Sequence, residues 1–295
     1  MTQEQRIIFL SYLTNYNINE ISHSYQFDNL NRYLEDWIER NREKKEDKVI
    51  EAALKLSNEK MQEMIYNGIT FISIYDKRYP KQLRGIYQAP PILYVKGCLK
   101  DKSNIAIVGT RDSSKYAINT IENYIKELDE RNGVVSGLAI GIDSIAHKIA
   151  LDYKIYTIAV MPNSLDHVYP KENIKLANEI INNDGCLVSE LPLGLNRGKK
   201  SFVERNRIQT GLSDFVAPIE LGLKSGTMHT VDFCIKQGRY LLIVPPTKEQ
   251  SEMSNYEGIN YLIRKSYLKK VLIKGNYSIN NIRPDSGYDR NPTLF

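Results

Sequence analysis

Between residues 197 and 207 the chain reads RGKKSFVERNR, five basic side chains against the single acid Glu204, with Phe202 among them. Lysine and arginine neutralise phosphate oxygens, and an aromatic ring offers a face on which a nucleobase stacks. The plainer alternative is a solvated basic loop with Phe202 turned to the core. At helical spacing Phe202 and Arg205 share a face, which leaves open whether that face is buried.

Three further segments carry the same chemistry. In NIAIVGTRDSSKYA an apolar run stops at Gly109, and a turn through Thr110 and Arg111 opens a helix that Ser113 or Ser114 can cap. A helix start leaves unpaired N–H groups that suit an anion, and Arg111 stands beside it. Pairing of Arg111 with a carboxylate near Asp112 is the alternative. In SGLAIGID, Gly137 and Gly141 bracket a tight turn, and Asp143 is placed to cap a helix beginning at Ser144. His147, one turn later among apolar neighbours, reads as a packed side chain. In ELGLKSGTMHT, Ser225, Gly226 and Thr227 supply backbone N–H groups, small size and a hydroxyl at a helix start, which makes an anion seat.

The missing motifs narrow the field. There is no G-x-x-x-x-G-K-[ST] loop, no G-x-G-x-x-G, no H-E-x-x-H and no G-x-S-x-G elbow. His23, His147, His167 and His229 form no nucleophile–base pattern, and Cys98, Cys186 and Cys234 are too far apart in sequence for a C-x-x-C metal site. Phosphate seats without a catalyst imply a binding protein, with no enzyme activity, metal or cofactor expected. The net charge of +5 permits a nucleic-acid partner. No run approaches the ~18 apolar residues of a membrane span, and the first residues lack a secretory signal, so a cytoplasmic protein without a membrane partner is expected.

These residues need elements to hold them. Residues 1–66 carry apolar side chains at helical spacing and read as a small helical N-terminal domain, with NREKKEDK as a solvated face or junction. Residues 67–100 hold two strand-like runs around Pro80, Pro90 and Pro91. From 104 onward, apolar runs alternate with helical segments: IAIVG, VVSG, YTIAVM, CLVSEL, FVAPIEL and RYLLIVPP are the strands. Asn132-Gly133 is expected to end the first helix. This alternation predicts an α/β fold, a doubly wound and mostly parallel sheet over 67–275. Its strand-to-helix turns then fall along one sheet edge, where ligands of such sheets bind. Residues 276–295 read as a polar tail.

Taken together and in order, RYPKQLRGIYQAPPILYVKG, IAIVGTR, VVSGLAIGIDSIAHKIAL, GCLVSELPLG, FVERNRIQTGL and KSGTMHTVDFCIKQGR resemble the DNA processing protein A (DprA, Smf) family across roughly 70–275. The resemblance implies a Rossmann-like fold that binds single-stranded DNA without known catalysis, protects incoming strands, helps load a RecA-type recombinase during natural transformation and forms homodimers. It assigns the arginine of the GTR turn, Arg111, to the DNA pocket. Lys199 and Phe202 map to phosphate and base contacts, and Arg205, Asn206 and Arg207 to the family's RNR segment. A nucleotide sensor or a phosphoribohydrolase on a related fold is the alternative, although Thr230 stands where such hydrolases carry their glutamate.

Overall fold

The computed structural model describes residues 1–41, 46–264 and 271–273. Among the described residues four α-helices come first: α1 (Gln3–Leu13), α2 (Ile18–His23), α3 (Leu30–Arg40) and α4 (Glu46–Tyr66). A capping box starts α1, in which Thr2 accepts from the Gln5 N–H and the Gln5 side chain accepts from the Thr2 N–H. The helical reading of 1–66 agrees with this, but these helices do not keep a core to themselves. Ile7, Phe9, Trp37 and Met64 share one apolar cluster with Ile92, Tyr94 and Leu187 of the sheet. They are a layer laid on the sheet. Within the NREKKEDK run, residues 42–45 lie outside the described residues, as does the tail at 276–295.

Among the described residues nine strands follow: β1 (Ile69–Ser73), β2 (Ile92–Gly97), β3 (Ser103–Val108), β4 (Asn132–Ser136), β5 (Tyr156–Val160), β6 (Cys186–Ser189), β7 (Phe215–Pro218), β8 (Tyr240–Ile243) and β9 (Val271–Ile273). They form one sheet in the order β1-β2-β6-β5-β4-β3-β7-β8-β9. The pairs β1–β2 and β2–β6 are antiparallel, and every pair from β6 to β9 is parallel. The fold is therefore the mostly parallel α/β sheet expected from the sequence.

Alternation along each strand decides which side it serves. Ile105 and Ile107 of β3 enter one core, while Ala106 and Val108 enter the other. Both faces are covered, so the strands read as unbroken apolar runs. The covering helices are α5 (Lys81–Arg84), α6 (Tyr116–Ile125), α7 (Ile142–Asp152), α8 (Ile174–Asn182), α9 (Lys200–Gly211), α10 (Thr227–Lys236), α11 (Lys248–Ser251) and α12 (Glu257–Arg264).

Two local expectations are corrected. Asn132-Gly133 does not end a helix. The helix α6 stops at Ile125, and Asn132 opens β4 while its Oδ1 accepts from the Asp129 N–H at 3.0 Å. Nor does Asp143 cap α7, which starts at Ile142 with Gly141 as its N-cap. The carboxylate sits in the first turn instead, with Oδ2 3.4 Å from the Ala139 N–H.

Candidate nucleic-acid interface

The crossover from β3 leads to β4 on one side, while that from β7 leads to β8 on the other. Connections that diverge from neighbouring strands leave a crevice beyond their carboxyl ends. A cleft of about 450 Å³ lies there. The turn at Gly109, Thr110 and Arg111 forms one wall, and Phe202, Arg205, Asn206 and Gln209 of α9 form another. Ser225, Gly226 and Thr227, at the start of α10, close the third side. Segments separated by more than a hundred residues thus meet at one edge, as the strand order requires.

The Arg111 turn is tightly held. The Thr110 N–H donates to the Glu220 carbonyl at 2.9 Å, and the Thr227 hydroxyl donates to the Gly109 carbonyl at 3.0 Å. A side chain at Gly109 would meet Ile142 Cγ1 at 2.5 Å, so glycine lets the turn close on α7. The buried Glu220 carboxylate accepts from the Ser114 N–H at 2.9 Å, the Ser114 hydroxyl, Asn255 Nδ2 at 2.8 Å and the Tyr256 hydroxyl at 3.2 Å. Burial and this carboxylate push the Tyr256 hydroxyl up to about 12. Ser114, not Ser113, receives the Tyr116 N–H at the start of α6, at 3.2 Å. Ser113 is not among the residues lining the cleft.

Arg111 itself is exposed and makes no ion pair among the described residues, so the alternative of a local carboxylate partner is not met. Its guanidinium lies 5.9 Å from the Phe202 ring centroid. Phe202 is half-buried, with Tyr169 set edge-on at 5.7 Å. Cation, aromatic ring and cleft are thus contiguous. Lys199 is exposed at the N-cap of α9.

Of the two arginines of the RNR segment expected at the DNA, Arg207 is turned away from the cleft and Arg205 lines it. Arg207 is buried, donating to Glu190 at 2.9 and 2.5 Å, to the Gln88 carbonyl at 3.1 Å and to the Glu204 carbonyl at 2.9 Å. A guanidinium with its fork filled by a buried carboxylate has nothing left for a phosphate. Arg205 lines the cleft but donates to the Gly137 and Val160 carbonyls and to Asn206 Oδ1. Burial lowers its pKa to about 10, and the neighbouring Arg111 charge adds to that shift. It braces the loop after β4.

The glycines divide similarly. A side chain at Gly137 would overlap the Arg205 guanidinium, so this residue admits the brace. Gly141 has φ +84°, and a Cβ there would stand 2.5 Å from the Thr110 and Arg111 carbonyls. Gly141 thus positions the Arg111 turn and Gly137 the Arg205 brace, whereas Ser225, Gly226 and Thr227 line the cleft directly. Ser225 Oγ accepts the Thr227 N–H at 3.2 Å, which orders that turn. His147 is buried as expected, its Nδ1 2.7 Å from the Thr157 hydroxyl, and desolvation lowers its pKa to about 3. Burial raises the pKa of Asp143.

Glu220, Gln209 and Tyr169 were not singled out from sequence as parts of this site. The available signal was helical spacing, since Phe202, Asn206 and Gln209 stand at i, i+4 and i+7.

A model of the DNA recombination-mediator protein A family matches residues 70–277. The chain is 37% identical over 182 residues to DNA processing protein DprA of Bacillus subtilis (strain 168), covering 60% of this chain and 61% of the relative. Identity to DprA of Streptococcus pneumoniae (strain ATCC BAA-255 / R6) is 39% over 175 residues, covering 59% and 62%. The match thus spans about three-fifths of the length of these two curated relatives. Among solved structures, the X-ray structure of DprA from Streptococcus pneumoniae superposes with a TM-score of 0.67 at 28% identity, covering 92% of this chain and 89% of that one. DNA processing protein A from Helicobacter pylori, described for its single-stranded DNA binding mode, gives 0.61 at 30% identity over 70% and 91%.

Proposed function

Because the chain belongs to the DNA recombination-mediator protein A family, we propose that it binds single-stranded DNA in the cleft beyond β3 and β7. The observation that carries this reading is the Arg111 guanidinium, without an ion pair among the described residues, lying over the Phe202 ring at 5.9 Å where both line the cleft. Arg111 and Lys199 neutralise backbone phosphates, the Gly226 N–H before α10 is placed to donate to another, and Phe202 stacks a base. A duplex keeps its bases paired and stacked internally, so a single strand is the form that can use the aromatic.

In this reading the protein protects single strands and delivers them to a RecA-type recombinase in transformation or recombination, acting as a homodimer in the cytoplasm. The match to a recombination-mediator family and the likeness to a protein described for single-stranded DNA binding support the DNA-handling part of this reading. We also read the cleft as a binding site rather than a catalytic one. The carboxylate lining it, Asp143, is buried, and Thr230 occupies the place where a related hydrolase carries its acid.

Fluorescence anisotropy of labelled oligo-dT, with single- and double-stranded competitors and free nucleotides, tests the proposal. Salt-sensitive binding that single strands compete for, and that Arg111→Ala with Lys199→Ala abolishes, is expected. Competition by free nucleotides alone would contradict it in favour of a small-nucleotide sensor.

A further inference from the structure

A second pocket, of about 230 Å³, lies at the other end of α9, near the amino ends of β3 and β7. Its floor is apolar, with Tyr79, Ile158 and Leu212 all buried. One wall is residues 77–82, between β1 and β2, and the other is residues 99–101, between β2 and β3. Both walls are pinned. The Tyr79 hydroxyl donates to the Pro90 carbonyl at 2.8 Å, and Arg239 Nη2 donates to the Gln82 carbonyl at 2.7 Å. Opposite, the Lys100 N–H donates to the Tyr156 hydroxyl at 3.0 Å, which itself donates to the Cys98 carbonyl at 2.8 Å. A pocket held in this way is formed before any ligand arrives.

Its polar groups are unspent. Lys77 and Lys81 are exposed and pair with no carboxylate among the described residues. Arg78 differs, since Asp76 fills its fork, and Lys100 Nζ stands 3.5 Å from Asp184. Gln82 is 9% exposed, and its carboxamide makes no hydrogen bond among the described residues while Oε1 and Nε2 both stay accessible. An apolar slot with a free carboxamide on its wall and ammonium groups at its rim fits a flat body that has a hydrogen-bonding edge and carries a phosphate. A bare phosphate would leave the floor and Gln82 unused, and an acyl chain would leave the carboxamide unpaired. The volume suits one base with its sugar, not a length of strand. We infer that this pocket binds a free mononucleotide, with Lys77 and Lys81 on the phosphate and Gln82 on the base edge. The site is separate from the cleft: Leu212 caps α9 ten residues beyond Phe202, about 15 Å along the helix axis.

Isothermal titration calorimetry with 5′-AMP, 5′-GMP, 5′-CMP and 5′-UMP, and with the matching nucleosides, tests this. At least one mononucleotide is expected to bind the wild-type chain, about tenfold more tightly than its nucleoside. Lys77→Gln with Lys81→Gln is expected to weaken that nucleotide about tenfold and to leave the nucleoside unchanged. Both lysines are exposed, so the double variant keeps the fold. Arg111→Ala with Lys199→Ala is expected to bind the nucleotide as the wild-type chain does. Absence of binding by all four nucleotides at millimolar concentration overturns the inference. So does an affinity that the Lys77 and Lys81 substitutions leave unaltered. Loss of nucleotide binding in Arg111→Ala with Lys199→Ala overturns it as well, because the nucleotide would then occupy the cleft. None of these results bears on strand binding, which the anisotropy measurement decides by itself.

Discussion

Arg111, Arg205 and Arg207 share a side chain and have three different jobs. Arg207 satisfies the buried Glu190, to which the Tyr16 hydroxyl also donates at 2.8 Å. Arg207→Met therefore leaves a carboxylate uncompensated and is expected to cost about 3–5 kcal/mol in urea unfolding. Arg111→Ala removes an exposed group and is expected to leave stability within about 0.5 kcal/mol. Its effect falls on the DNA, where giving up one neutralised phosphate lowers the salt slope of binding by about 0.7. Finding the two effects exchanged would refute the assignment. His147 supplies a pH signature. Its folded pKa of about 3 lies below the ordinary histidine value of 6.5, so below that value the unfolded chain takes up a proton that the native chain refuses. Stability is complete above pH 6.5 and falls by roughly 1 kcal/mol per pH unit as the pH drops toward 3. Asp143, its carboxyl raised by burial, works in the opposite sense at the acid end. Denaturation midpoints at pH 7, 6 and 5 for wild type and His147→Gln isolate the histidine's share, which should vanish in the variant.

At the scale of elements, the Arg111 turn, the loop after β4 and the start of α7 are one packed unit. Gly141→Ala forces a side chain into a positive-φ site and against two carbonyls, so it should displace the Arg111 turn. Weaker oligo-dT binding together with a lowered melting temperature is expected; unchanged values in both would show that the turn does not depend on this glycine. Much of this was legible in the sequence. Gly109, Gly137 and the Ser225–Thr227 segment each follow a run of β-forming residues, and a parallel sheet must bring such turns to one edge. Exact starts were harder, as Asp143 and Ser113 show, because several polar residues near a helix start can each serve as its cap. The roles of Arg205 and Arg207 were not legible. Their acceptors lie 68, 45 and 17 residues away in sequence, and local spacing cannot report which charge meets which carbonyl or carboxylate. Gln209 escaped notice because a lone glutamine in a helix signals nothing until its surroundings are known.

Across the whole molecule, α9 links the cleft to the N-terminal helices. One stripe of it lines the cleft, while Arg207 ties it through Glu190 to Tyr16 in the turn after α1. Because 1–66 shares its apolar cluster with the sheet, the chain should unfold in one cooperative transition, and deletion of 1–66 should expose Tyr94 and Leu187 and yield insoluble protein. A separate early transition of the N-terminal helices, followed by calorimetry, would contradict that coupling. The central claim concerns where a single strand lies, and hydrogen exchange with and without saturating oligo-dT tests it most directly. Slowed exchange confined to residues 109–116, 199–210 and 225–228 is the predicted result. Protection elsewhere, with those three segments unchanged, would contradict it.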